Sequence, residues 1–224
     1  MCSSDLIART NPDAPKHKGI SYFVCPMDLP GIEVRPIVEM NGHHNFNEVF
    51  FDDVRIPAEN LVGRENEGWG LAKVTLSNER VSLSGEGALW GRGPTAHTLL
   101  DIVRGRGGCD DPVMRQRLAR LYVEAEVLRL IRLRTVSAAV QGKQPGPEAS
   151  VRKALADEHG QHIMGLAKDL GGTEGMLTTG AWGADWHDGY LFAPALTIGG
   201  GTSEVQRNII AERVLGLPHD IGVK

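Results

Sequence analysis

The hydrophobic period of this chain changes once, and that change limits its architecture more than any other feature. Across residues 6–62, Pro and Gly cut the sequence into short runs, GISYFV, GIEVRPIV and FNEVFFDDVRIP, with Val49 and Phe51, then Val54 and Ile56, two apart. Successive side chains of a strand point to opposite faces, so this stretch reads as β. After Gly68 the runs lengthen and the period becomes helical, over 69–90, 112–140, 147–170 and 203–215. In the third run Val151, Leu155, Ile163, Leu166 and Leu170 share one face, and GKQPGPEAS before it reads as a helix–helix turn. The expected fold is mainly α with a small β segment: a partial β domain over 1–64, then an antiparallel helical bundle over 65–224. LIARTNPDAPKHKGISYFV reads as strand, polar loop, strand. So few strands cannot close a sheet, so further strands are expected upstream.

Charge and cysteines exclude several classes. A net charge of −4, with both signs mixed throughout, argues against a nucleic-acid or anionic-membrane partner. Cys2, Cys25 and Cys109 lie far apart, which suggests neither a disulfide framework nor a zinc cluster. No apolar run approaches a membrane span, and MCSSDLIARTNPDAP lacks the apolar stretch of a signal peptide. The expectation is a cytoplasmic protein.

Two places suggest chemistry. In TIGGGTSEVQRNIIAERVLGLP three glycines run into a helical segment. Glycines let backbone N–H groups approach a ligand, so the loop suits an anion or nucleotide phosphate; the alternative is a tight turn with Thr202 or Ser203 as N-cap. In GWGLAKVTLSNERVSLSGEGALWG, helical steps from Trp69 pass through Ala72, Leu76, Glu79, Leu83, Glu86 and Trp90, so two glutamates lie on an otherwise apolar stripe. The opposite stripe is also largely apolar or small, which predicts a helix buried on most sides. A carboxylate there loses hydration, which favours its neutral form and suits it to act as a general base; the alternative is an ion pair with an arginine of another helix. His159 and His162 lie one turn apart without further ligands spaced to complete a metal site, and Asp52 and Asp53 read as a solvated turn. No nucleophile motif of acyl-enzyme chemistry is present.

The run PGIEVRPIVEMNGHHNFNEVFFDDVRIPAENLVGRENEGWGLA, the SNERVSL helix, DLGGTEG and IGGGTSEVQRNIIAERVLGLP follow one another as in acyl-CoA dehydrogenases, and the resemblance covers nearly the whole chain. It implies a flavoprotein built from an N-terminal helical domain, a middle β domain and a C-terminal four-helix bundle, usually tetrameric. This sequence resembles the second half of the β domain and the bundle. The family's reaction takes the α-proton of an acyl-CoA thioester onto a carboxylate while the β-hydrogen passes as hydride to FAD, giving a trans-2-enoyl-CoA. Many members carry the base as Tyr-Glu just before the Gly-Thr of the loop, where this chain has Gly199 and Gly200. A second group, including isovaleryl-CoA dehydrogenase, places it on the buried helix one residue before an arginine, where this chain has Glu79 and Arg80.

By that resemblance Glu79 is the base. Ser77, Arg80, Gly200 and Gly201 stand on the substrate side, and Thr202, Ser203 and Glu204 lie against FAD. Gly171 and Gly172 of DLGGTEG reach the FAD of a neighbouring subunit, with Lys168 where many members have Gln. Arg104 and Arg106 are the nearest match to the family's diphosphate-binding arginine. The implied partners are an acyl-CoA, electron-transfer flavoprotein as electron acceptor, and further subunits in a homo- or hetero-oligomer. Gly199 and Gly200 are expected to leave room for branched, bulky or steroid-derived acyl groups, and residues 1–224 alone to hold FAD poorly. Two alternatives remain: a non-catalytic chain serving as one subunit of a hetero-oligomer, and an acyl-CoA oxidase or flavin monooxygenase of the same architecture.

Overall fold

A computed structural model describes residues 3–82, 89–143 and 146–219, the side chains of 80–82 excepted. Its contacts separate two units, Met1–Asn78 and Glu79–Lys224.

In the first unit β1 (Ser3–Arg9) and β2 (Ile20–Pro26) form the expected antiparallel hairpin, with Ile7 opposite Tyr22. β3 (Ile32–Ile37) and β4 (Phe46–Phe51) pair separately, with Val34 opposite Val49. β5 (Leu61–Val62) returns to the free edge of β2, giving the order β1-β2-β5. Val54 and Ile56, expected on a strand, lie outside one: Asp53 turns to φ +46° directly after β4 and Pro57 has no N–H to donate to a ladder. Val34, Ile37, Phe46, Val49, Phe50 and Phe51 of the β3–β4 ribbon are all exposed.

Helix α1 (Gly68–Ser82) starts hard against β2, where a Cβ on Gly68 would fall 2.4 Å from the Tyr22 backbone nitrogen. The Tyr22 and Thr75 hydroxyls bond at 3.0 Å, and His17 stacks on Trp69 at 4.1 Å. The sheet covers only one face of α1. Ala72 is buried, whereas Val74 and Leu76 are 60% and 45% exposed, so the expectation of a helix buried on most sides does not hold. Nor does the expected helix run on unbroken to residue 90. Leu83 and Glu86 lie outside the described residues, and beyond them Leu89 and Arg92 close a turn, with Trp90 at φ +51° followed by Gly91 at φ +86°. A left-handed Trp ends any helical stripe.

The second unit holds α2 (Ala96–Gly105), α3 (Pro112–Val140), α4 (Ala149–Gly171), α5 (Ala184–Phe192) and α6 (Ser203–Ile209), the last prolonged by a π turn, Ile210–Val214. Thr95 and Thr98 form a capping box on α2. Asp111 caps α3, accepting from the Val113 N–H at 2.8 Å, with Pro112 in the first turn. Helix α4 is the central element, packed against α2, α3, α5, α6 and the 3-10 turn Ala193–Thr197. Its neighbours meet it in a core of Leu99, Val103, Leu118, Leu121, Ile163, Met164, Leu166, Trp182, Trp186 and Leu196. The single apolar face expected for this helix is only part of its packing: Val151, Leu155 and Leu170 are half-buried, while Ser150, Lys153, Asp157 and His159 on other faces are buried. By contrast Val123, Val127, Leu130 and Leu133 of α3 are exposed.

Candidate functional site

The glycine loop leaves the turn Ala193–Thr197 and enters α6. Gly200 and Gly201 take φ of +66° and +97°, which side-chain-bearing residues adopt at a cost, and a Cβ on Gly201 would fall 2.6 Å from the Gln206 amide nitrogen. That nitrogen donates to the carbonyls of both Gly200 and Gly201 at 3.1 Å, while the buried Gln206 Oε1 has no partner. Thr202 is the N-cap of α6, accepting from the Val205 N–H at 3.3 Å; Ser203 is buried and Glu204 exposed. Hydrogen bonding to its own backbone N–H and to the Thr202 hydroxyl holds the Glu204 carboxyl below the usual range. The expected room beside the loop is absent at Gly199. Two ring carbons of Trp90, Cη2 and Cζ2, lie 2.6 Å from where a Gly199 Cβ would be, and the ring sits edge-on to Phe192 at 5.4 Å. The left-handed turn that takes Trp90 out of a helix brings its indole here.

A second group gathers at the C-terminal end of α4. Lys168 donates to the Gly175 carbonyl and lies 3.1 Å from His187 Nδ1; desolvation lowers its pKa. Arg106 pairs with Glu174 at 3.4 Å and lies over the Trp182 ring at 5.1 Å. The same ring packs where a Gly171 Cβ would be, at 3.0 Å, whereas nothing lies within 4 Å of a Cβ on Gly172, which turns to φ +50°. Around the end of α4 the structure thus gathers Lys168, the ion-paired Arg106 on the Trp182 ring that covers Gly171, and the open backbone of Gly172. Arg104 is not among them, being paired with Asp101 of its own helix at 3.0 Å. An anionic dinucleotide fits the second group, where Gly172 leaves open backbone beside Lys168 and the ion-paired Arg106; at the glycine loop the orphaned Gln206 Oε1 is an acceptor and suits a donor group of such a ligand rather than its diphosphate. The turn before the loop bonds α4 through Lys153 and Gln161, 18 and 10 residues before Gly171, so the two groups stand roughly 15–27 Å apart along the helix.

Glu79 lies half-buried in the last turn of α1, and Ser77, also half-buried, donates its hydroxyl to the Lys73 carbonyl at 2.8 Å. Arg80 is in the same turn, its side chain outside the described residues.

One buried polar pair escaped the sequence reading, as did the carboxylate on which His159 and His162 converge. Lys153 and Asp157, one turn apart on α4, form an ion pair at 0% and 1% exposure, and Lys153 Nζ also donates to the Leu196 carbonyl at 3.2 Å. Burial pushes the Asp157 carboxyl up to about 6 against the pull of Lys153. The Trp90 indole N–H is near enough to favour the carboxylate but makes no full hydrogen bond. His159 and His162 converge through Nδ1 on Glu124 of α3, at 3.1 and 3.3 Å, and Arg120 donates to the same carboxylate at 2.9 Å. These bonds hold the Glu124 carboxyl low despite its desolvation, while burial lowers His159. Among the described residues no three such side chains are arranged to hold a metal ion, and no helix is long and apolar enough to cross a membrane. An i,i+4 Lys-Asp pair reads in sequence as a surface pair; only its position on a face of α4 covered by the Ala193–Thr197 turn marks it as buried.

Comparison with known proteins gives the family. The family model described as acyl-CoA dehydrogenase, C-terminal domain, matches residues 66–215. Acyl-CoA dehydrogenase IpdE1 of Mycobacterium tuberculosis is 40% identical over 216 residues, covering 96% of this chain and 55% of the relative. Among solved structures, the Tcur3481-Tcur3483 steroid ACAD superposes with a TM-score of 0.82 at 30% identity, covering 96% of this chain and 56% of the other. The ChsE4-ChsE5 complex from Mycobacterium tuberculosis gives 0.78 at 31% identity, with coverages of 97% and 58%. This chain therefore spans about half the length of the relatives it matches. With the family model matched over residues 66–215 and a relative 40% identical across 96% of the chain, the chain belongs to the acyl-CoA dehydrogenase family.

Proposed function

We propose that this chain serves the α,β-dehydrogenation of an acyl-CoA thioester, with Glu79 as the base. The observation that carries the reading is a pairing of presence and absence: Glu79 stands directly before Arg80 on α1, while the loop positions that hold the base in other members are Gly199 and Gly200. FAD, when bound, would supply the acceptor for the β-hydrogen as hydride, so that the α C–H electron pair left by the departing proton would form the new double bond. The Glu79 carboxylate receives the α-proton and holds it on an Oε. Thr202 and Ser203 present the capped end of α6, and Arg106 with Lys168 supplies positive charge for a diphosphate. Substituting Glu79→Gln in a complete, FAD-loaded version of the protein is expected to leave FAD bound and to slow anaerobic bleaching of the flavin by acyl-CoA about 100-fold or more, because an amide cannot accept the proton. Loss of bleaching in Glu86→Gln with normal bleaching in Glu79→Gln would refute the assignment.

The chain acts as part of an oligomer, with electron-transfer flavoprotein as the acceptor. Supporting an oligomer, the two glycine elements are set apart along α4, so the turn at Gly171–Gly172 suits a second cofactor rather than the one beside Gly201. Exposed apolar side chains on α3 and on the β3–β4 ribbon suit further protein contacts, and one relative is the ChsE4-ChsE5 complex. A chain that supplies bundle contacts to a differently composed assembly is therefore the second reading. For the acyl group, a bulky or steroid-derived chain is supported by the relative named as a steroid ACAD and not by empty space at Gly199, which Trp90 fills.

A further inference from the structure

Beneath the glycine loop lies a charged pair that the chemistry above does not use. Lys153 is wholly buried, and of its three donors one is committed to Asp157 and one to the Leu196 carbonyl. Burying an ammonium is expensive, and a pair of apolar residues in such a place generally packs at equal or lower cost. The pair therefore has its use in what it holds. The turn Ala193–Thr197 and the loop after it are tied from below at three points. Gln161 donates to the Ala193 carbonyl and the Thr197 hydroxyl, each at 3.2 Å, Gln206 holds the Gly200 and Gly201 carbonyls, and between them Lys153 holds Leu196. Gly199, Gly200 and Gly201 have no side chains by which packing can fix them. Only bonds to their backbone and the Trp90 ring against Gly199 set their course. A charge-assisted donor is about twice as strong as a neutral one, and it stands at the middle of the span.

We propose that Lys153 is a positioning residue: its ammonium, neutralised by Asp157, clamps the Leu196 carbonyl and thereby fixes the backbone from Leu196 to Gly201. The functional meaning of the clamp rests on the reading that sets this loop against the cofactor, but the clamp itself is a property of the chain alone. The backbone N–H groups of Ile198 and Gly199, which donate to the Ala195 carbonyl at 3.1 and 3.0 Å, report its state.

The test is residue-resolved hydrogen exchange on the purified chain without cofactor, so that a failure of the dehydrogenase reading leaves the result unaffected. In Lys153→Met/Asp157→Leu, which removes both charges together, the expected result is a folded protein whose Ile198 and Gly199 amides exchange about tenfold faster or more, while those of Leu118 and Leu121 in α3 keep their rates. Should the double variant not fold, Lys153→Met read at pH 5, where a buried Asp157 without its lysine is protonated, gives the same selective loss. Unchanged loop exchange in a folded variant lacking Lys153, or an equal rise across α3 and α4, would overturn the proposal.

Discussion

Replacing Gly199 by Ala tests whether Trp90 fills the space beside the glycine loop. The new Cβ would sit 2.6 Å from two ring carbons, where ordinary contact begins near 3.4 Å, so the indole must retreat by 0.8 Å. It has little freedom to do so, with Phe192 edge-on at 5.4 Å, the Lys153 ammonium 6.0 Å from its ring, and a backbone already at φ +51°. Overpacking of this kind costs about 1–3 kcal/mol, and for a chain of this size each kcal/mol lowers Tm by about 2–4 °C. Thermal unfolding followed by tryptophan fluorescence reads the loss. The decisive comparison is made in a Trp90→Leu background, where the obstructing ring is gone. There Gly199→Ala is expected to be nearly neutral, giving a coupling of about 1 kcal/mol or more in the double-mutant cycle. An equal cost in both backgrounds, or a cost below about 0.5 kcal/mol in the parent, would refute the packing argument.

Other outcomes follow from the buried groups. Asp157 has its folded pKa raised from 3.8 to about 6, so its contribution to stability is full below pH 3.8 and is lost as pH rises through 6. Subtracting the urea midpoints of Asp157→Asn from those of the parent between pH 3.5 and 7 is expected to reveal that slope, of order 1–3 kcal/mol in total, and a flat difference would show that Lys153 offsets the burial in full. Leu99→Ala opens a cavity at a fully buried core position and is expected to cost about 2–5 kcal/mol in denaturant unfolding, whereas Leu130→Ala on the exposed face of α3 is expected to change stability by less than about 1 kcal/mol in the isolated chain.

The sequence by itself determined the order of strands and long helices, because side-chain period is a local consequence of backbone geometry. The β1–β2 hairpin, the long helices α3 and α4 and the cap at Thr202 all fall where period and capping chemistry put them. Shorter helices were not legible: α2 and α5, of 10 and 9 residues, offer too few turns for a period to stand out from their Gly-rich surroundings. Motif order also made the family legible, and with it the candidacy of Glu79, Gly171 and Thr202. What only the tertiary structure decided is which faces meet. Period reports one apolar face, but neighbours cover α4 on all but the stripe of Glu158, His162 and Asp169, so Lys153, Asp157 and His159 are buried where an amphipathic reading puts them in water. The same holds for Trp90, whose left-handed backbone turns it from a helical stripe onto Gly199, and for Arg106 and Lys168, which join Gly172 only because α2 and the turn after α4 come together. Contacts between residues far apart in the chain depend on packing free energy summed over the whole bundle, and no local pattern encodes that sum.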